Sequence, residues 1–311
     1  MTPRLSIILA THNRAALLNT ALEALQRQTF QDFEILVVDD GSSDPTPEVL
    51  AAWQKKEPRL QAFRFPDCRG CNAARNLALG KARGIYIGIT DDDDVSLPGR
   101  FETQIAFLEE NPSVQIVFSS IQYIDLERRP LRLWPEFPER FPREPDRLFE
   151  VLFTQPNIAP NSAALFRREV FDKFRLSFPE NVISGGDRLL YMKAAALGVQ
   201  MAMLAEPWVH ALSHEGHVSL TGDILKITRN KRAVLDEMRS WLKENGIHRF
   251  DGLYAKALSY QLIIEGRACG GVKGLFLVLK ALGLNPSGRY AWETFFWFLK
   301  KAARRARLTA A

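Results

Sequence analysis

The feature that most constrains this chain lies in its first 110 residues, where short apolar runs alternate with stretches of helical periodicity. Leu5 to Ala10 (LSIILA), Glu34 to Val38 (EILVV) and Ile85 to Thr90 (IYIGIT) are nearly continuous apolar runs. Such runs suit strands buried on both faces, as in a parallel sheet. Gln61 to Phe65 is a weaker strand candidate. From Ala15 to Gln28, Leu17, Leu18, Ala21, Leu22 and Leu25 recur at helical spacing. The turn Asp39 to Pro45 leads into a second helix with proline in its first turn. Asn72 to Ala82 reads as a third, with Asn72 as N-cap, and Pro98 opens a fourth that runs to Glu110. Strands alternating with helices specify an α/β fold, a mostly parallel central sheet flanked by helices.

The middle of the chain reads differently. Val114 to Ser119 is a strand and Ile121 to Leu133 a hairpin. Five prolines between Pro130 and Pro145 mark a long loop, of the kind that often forms a lid or binding loop. Ala163 to Phe166 and Val199 to Leu204 are further strands, with a helix over Gly186 to Leu197. From Gly222 onward the pattern is helical, broken at Gly246, Gly270-Gly271 and Asn285-Pro286. Two regions are expected, 1–220 and a helical extension, 221–311. Charge divides along nearly the same line. Residues 1–225 hold 24 Lys+Arg against 30 Asp+Glu, and residues 226–311 hold 17 against 6. A basic tail on a mildly acidic body suggests two jobs, one facing an anionic surface. Apolar runs such as Gly274 to Leu279 fall far short of the roughly 20 residues a spanning helix needs. The N-terminal apolar stretch is too short for a signal peptide, and three cysteines argue for a reducing compartment.

In open α/β sheets, ligands bind beyond the carboxyl ends of the strands. Three strands here end in polar residues: Thr11-His12-Asn13-Arg14, Asp39-Asp40, and Asp91 to Asp94. Capping and turn formation account for single acids such as Asp44. Four adjacent carboxylates, however, repel one another and ask for a counter-charge. Their hard oxygens suit Mg²⁺ or Mn²⁺, which one or two carboxylates hold together with substrate phosphates. No Gly-x-Gly-x-x-Gly follows the first strand and no Gly-x4-Gly-Lys-Ser/Thr is present, so dinucleotide-binding and P-loop readings lose their main support.

The segments LSIILATHNRAALLNTALEALQRQTFQDFEILVVDDGSSDPT and AARNLALGKARGIYIGITDDDDVSLPGRF resemble those of family 2 glycosyltransferases. The resemblance runs from about Leu5 to Ser219. It implies the GT-A fold and inverting transfer from a nucleotide sugar, with Mn²⁺ or Mg²⁺ as cofactor. Thr11, His12, Asn13 and Arg14 then fall at the donor, with His12 stacking on the base. Asp40 falls where the family reads the uracil imide, supported by Asp39, and Arg75 lies near the nucleotide. In the DxD-like run, Asp92 falls at the donor ribose or metal waters and Asp93 at the metal. ISGGDRLLYMKAAALG matches the catalytic-base segment, with Asp187 as base and Gly186 where many members carry Glu. In PWVHALSHEGHVS, His214 falls at a metal or diphosphate contact, and Leu212 stands where Arg is common. His210 and His217 read as ordinary histidines. The implied acceptor is a hydroxyl of a glycan or lipid-linked molecule, in cell-surface polysaccharide synthesis.

Two rivals remain. A sugar-nucleotide pyrophosphorylase would want a Gly-rich, basic loop after the first strand, and THNRAALL is not one. A non-catalytic nucleotide-sugar-binding module has no need of Asp93 and Asp187 together. Cys68-Arg-Gly-Cys71 lacks a second pair and reads as two free thiols. Trp292, Phe295, Phe296 and Leu299 form a stripe, with Trp297 and Phe298 off it and Lys300, Lys301, Arg304, Arg305 and Arg307 following. That mixture suits an interfacial helix on an anionic membrane, which would place the protein in the cytoplasm or peripherally on the inner face of the plasma membrane. Core packing or a homodimer is the competing use of the stripe. No recognition motif points to nucleic acid.

Overall fold

The computed structural model describes residues 2–125, 127–155, 157–182, 185–212 and 224–309. The chain divides into two compact units. One comprises residues 1–148, 157–181 and 186–217, and the other comprises 149–156, 182–185 and 218–311.

The first unit is built on one sheet. Its strands are β1 (Leu5–Thr11), β2 (Phe33–Asp39), β3 (Leu60–Arg64), β4 (Tyr86–Asp91), β5 (Asp94–Ser96), β6 (Ile116–Ile124), β7 (Pro130–Trp134), β8 (Ala164–Arg167) and β9 (Met201–Leu212). The order is β3-β2-β1-β4-β8-β6-β9-β5, with β7 added on β6. The pairings β3-β2, β2-β1, β1-β4 and β6-β9 are parallel, while β8 runs antiparallel between β4 and β6. In register, Thr11 stands opposite Asp39, and Ala10 opposite Asp91. The polar ends of β1, β2 and β4 therefore meet at one edge.

Helices α1 (Ala15–Gln26), α2 (Thr46–Lys56), α3 (Cys71–Lys81) and α4 (Arg100–Glu110) cross over between these strands. Leu18, Leu22 and Leu25 of α1 are fully buried against Leu5, Ile7 and Leu9. Each such side chain contributes roughly 1.5–3 kcal/mol relative to exposure. The start of α3 differs from the expected one. Gly70, at φ 96°, is the cap, and Asn72 lies inside the first turn. Its Nδ2 donates to Pro179 O at 2.7 Å, and its Oδ1, the atom a cap would use, accepts from Arg75 Nη1 at 3.3 Å.

The expected hairpin over Ile121–Leu133 forms, with β6 pairing antiparallel with β7, so the proline-rich stretch is not wholly a loop. Residues 130–134 form β7, an exposed edge strand beginning at Pro130, where the missing N–H removes no inner ladder bond. A 3₁₀ turn at Pro138–Arg140 follows, and Pro145 opens α5 (Pro145–Thr154). Beyond the short α6 (Glu169–Asp172), α7 (Gly186–Ala196) is almost wholly buried. The last strand runs eight residues past the expected Leu204, to Leu212, with a register shift at Ser120–Pro207.

The second unit contains α8 (Ile224–Glu244), α9 (Leu253–Cys269), α10 (Gly271–Leu284) and α11 (Arg289–Thr309). Leu262, Ile263, Ala281, Leu282 and Ala291 form its core, with Phe295 packed against them. The terminal stripe is thus split. Phe295 joins the core and the off-stripe Phe298 is buried, whereas Trp292, Phe296 and Leu299 are exposed.

Candidate functional site

The residues at and just beyond the strand ends hold one another. Thr11 Oγ1 donates to Asp92 Oδ2 at 2.7 Å. Arg14 Nη1 donates to Asp93 Oδ2 at 3.0 Å. His12 Nδ1 lies 2.7 Å from Asp40 O, and its Nε2 lies 3.0 Å from Asn13 Nδ2. These partners assign the tautomer, with Nδ1–H donating and Nε2 accepting. Asn13, at φ 53°, accepts on Oδ1 from the backbone N–H of Ser43 at 2.8 Å. Asn13 thereby ties the β1–α1 loop to the β2–α2 loop. Asp44 ties down the starts of α1 and α2, accepting from Ala15 N at 3.1 Å and Thr46 N at 3.0 Å.

Asp39 and Asp40 act on different neighbours. Asp39 is buried, accepts from Ser42 N at 2.9 Å and faces Arg64 Nε at 3.3 Å. Asp40 accepts from Arg69 N at 2.7 Å, Gly70 N at 2.8 Å and Cys68 Sγ at 3.2 Å. A carboxylate offers about four lone-pair positions, so the loop occupies most of them. Gly41 allows this closeness: at φ 71°, a Cβ there would lie 2.6 Å from Asp67 C. Cys68 and Cys71 are free thiols. Burial pushes both thiols up, with Asp40 adding to the effect on Cys68, so neither is an activated thiolate.

The four aspartates do not share a single counter-charge. Asp91 pairs with Arg75 Nη2 at 2.8 Å, Asp93 pairs with Arg14, and Asp92 takes the Thr11 hydroxyl. Crowding alone therefore does not call for a cation, because the chain's own arginines answer it. Burial, with help from Asp93 and Asp91, pushes the Asp92 carboxyl up to about 6. Asp94 turns inward, and burial holds its pKa well above the usual carboxylate range. Beneath it lies Arg100, fully buried, donating to Ser96 Oγ and to Ile89 O, both at 2.8 Å. Burial lowers its pKa to about 9, still charged at neutrality.

Asp187 sits in the first turn of α7. Asn157 Nδ2 donates to its Oδ2 at 3.2 Å. Burial raises its pKa against the opposing pull of the Arg188 N–H and the Arg75 guanidinium. Arg75 is thus the electrostatic neighbour of both Asp91 and Asp187. Its Nε is buried with no hydrogen-bond partner among the described residues. The glycine before Asp187 has a local cause: a Cβ at Gly186 would lie 2.2 Å from Asn72 Nδ2. Asn76 holds the same segment, donating to Phe178 O at 2.8 Å and accepting from Phe178 N at 2.9 Å.

The site therefore gathers Thr11, His12, Asn13, Arg14, Asp40 and Asp91 to Asp93 at one sheet edge, with Arg75 linking that edge to Asp187. His214 and His217 lie outside the described residues. His210 is on β9, paired with Val95 and Gln122. Sequence reasoning missed Arg100, Asn157 and the Asn72/Asn76 pair. No local pattern distinguishes a buried arginine or asparagine from an exposed one, and only the i,i+4 spacing of the two asparagines hinted at a shared face.

Among the described residues, no three His, Cys, Asp or Glu side chains converge as a metal cage. What is present is a set of hard carboxylate oxygens, with Asp93 partly exposed. That set fits Mg²⁺ or Mn²⁺ bound through one carboxylate and completed by phosphate oxygens.

The model of the family "Glycosyl transferase family 2" matches residues 6–175. The succinoglycan biosynthesis protein ExoO of Rhizobium meliloti is 30% identical over 223 residues, covering 70% of this chain and 63% of that protein. This chain thus accounts for less than two thirds of that relative's length. Among solved structures, S. aureus TarS 1–349 in complex with UDP-GlcNAc is similar at TM-score 0.59 and 19% identity, covering 97% of this chain and 92% of that one. The mannosyltransferase PcManGT from Pyrobaculum calidifontis, in complex with GDP-Man and Mn²⁺, is similar at TM-score 0.54 and 20% identity, covering 98% and 87%. These likenesses identify the fold as GT-A, with helices appended at the C-terminus.

Proposed function

Because the chain belongs to glycosyl transferase family 2 and is a glycosyltransferase, we propose that it moves a sugar, with inversion, from a UDP-sugar to a hydroxyl of a glycan or lipid-linked acceptor. The observation that carries this reading is Asp187, a carboxylate made more basic by burial and sharing Arg75 with the strand-end aspartates. Asp187 takes the proton of the acceptor hydroxyl as that oxygen attacks the anomeric carbon. Attack from the face opposite the leaving group inverts the configuration. Asn157 orients the carboxylate from its Oδ2 side. Thr11, His12 and Arg14 line the donor end, and Asp40 organises the 68–70 loop beside the base while keeping room for one further donor. Asp93 would hold Mg²⁺ or Mn²⁺, which when bound offsets charge on the departing diphosphate as a Lewis acid. Arg75, with its unsatisfied Nε, adds positive charge on the same side.

ExoO, named for succinoglycan biosynthesis, supports a polysaccharide acceptor, and TarS, seen with UDP-GlcNAc, supports a UDP donor. The deciding experiment measures diphosphate release with UDP-, dTDP- and GDP-sugars in Mn²⁺. Preference for UDP-sugars is the expected result, and preference for a GDP-sugar, as PcManGT's ligand would suggest, overturns the donor assignment.

A further inference from the structure

Eleven large apolar side chains among the described residues are exposed, and eight of them lie on α10 and α11. Val272, Phe276 and Leu279 recur at i, i+4, i+7 on α10, and Trp292, Phe296 and Leu299 do so on α11. Neither stripe is surplus core. The buried positions of these helices, Gly274, Val278 and Ala281 on one and Ala291, Thr294 and Phe298 on the other, lie on different faces. The most exposed of these apolar residues is Val272, at 86%, followed by Phe276 at 65%. Sequence periodicity pointed to the last helix alone, and the structure adds α10.

Charge selects the occupant. From Arg267 to the C-terminus the chain has nine Lys and Arg residues and one acid, Glu293, which Arg289 pairs at 2.8 Å. Lys273, Lys280 and Arg289 are exposed on the same two helices. A second copy meeting this face through a twofold would bring two such basic surfaces together. An anionic lipid surface instead attracts the charge and accepts Trp and Phe at headgroup depth. No helix among the described residues is long and apolar enough to cross a membrane, so the fitting mode is one of lying on the surface. We propose that the outer face of α10 and α11 docks on an anionic bilayer. This proposal stands independently of the transfer reaction.

The test uses the full chain with phosphatidylcholine vesicles, with and without phosphatidylglycerol. The expected result is sedimentation with the anionic vesicles alone, weakening as salt rises. Lys273→Gln with Lys280→Gln should lower the partition coefficient about fivefold per charge removed. Val272→Ser with Phe276→Ser should lower it roughly tenfold or more at unchanged melting temperature. Equal binding to neutral vesicles, or binding insensitive to salt, overturns the proposal. So does a wild-type dimer in light scattering that Phe276→Ser converts to monomer, since the face then belongs to a second copy.

Discussion

Asp187 combines two opposed demands in one side chain. Its pKa is raised because burial disfavours the carboxylate more than Arg75 and the Arg188 N–H favour it. A group with a raised folded-state pKa contributes stability only at low pH, and that contribution is lost as pH rises through the folded value. Asp187→Asn, neutral throughout and able to keep the Asn157 contact, is therefore expected to raise the melting temperature at pH 7. The same change should lower kcat roughly 10²–10⁴-fold, the usual cost of losing a general base, with donor Kd little altered. In the wild type, kcat/KM should fall on the acid side with a midpoint above about 3.9, the ordinary aspartate value. A pH–rate profile without that limb, or an active Asn variant, assigns the base elsewhere. At Asp40, substitution by Ala strips partners from the N–H groups of Arg69 and Gly70. Both residues are exposed, so each such loss costs about 0.5–1.5 kcal/mol, the net worth of an ordinary hydrogen bond. Both denaturant stability and UDP affinity should drop, and a loss of affinity at unchanged stability would mean that Asp40 touches the base without holding the loop.

The contact between α3 and α7 explains a residue that local rules do not. Gly186 precedes Asp187, the proposed base, in the space that Asn72 fills, with Asn72 tied to Pro179 O. Gly186→Ala should destabilise by roughly 1–3 kcal/mol through overpacking and reduce turnover. In combination with Asn72→Ala it should cost less than the sum of the two single changes, because one of the two clashing groups is gone. Strict additivity in that double-mutant cycle would separate the two helices energetically. The N-terminus of α4 poses a parallel case. Arg100, fully buried, braces Ile89 O on β4 and Ser96 on β5, the strands flanking the aspartate run. Removing one partner from such a buried charged network typically costs about 3–5 kcal/mol. Arg100→Ala is expected to show that loss in urea unfolding. Most of these strands and helices were legible as elements because continuous apolar runs and helical periodicity arise from burial itself. The cap of α3 was not, because Asn72 is drawn to Pro179 O and the Arg75 guanidinium. The hairpin over Ile121–Leu133 was legible, while its overlap with the proline-rich loop was resolved by an edge position that tolerates Pro130.

At the scale of the molecule, ligand and metal should act together. With Mn²⁺ and UDP in excess, the melting temperature should rise, since a ligand at 100 times its Kd adds about 2.7 kcal/mol. EDTA or Asp93→Asn should remove most of that rise, and a shift indifferent to both would leave the diphosphate held by Arg14 and Arg75 alone. The parallel sheet, the helical tail, its basic charge and the polar strand ends followed from the sequence, because each is a local or compositional consequence of what must be buried and what must meet water. The resemblance to family 2 glycosyltransferases was likewise carried by contiguous motifs. Which partner each side chain takes was settled only by the tertiary structure. Four neighbouring aspartates read as one charge cluster in need of a cation, yet folding sends three of them to Arg75, Thr11 and Arg14 and buries the fourth, Asp94. The aromatic stripe read as one surface, yet helix packing divides it between core and solvent. In both cases the outcome depends on residues tens of positions away, and spacing along one segment holds no information about them.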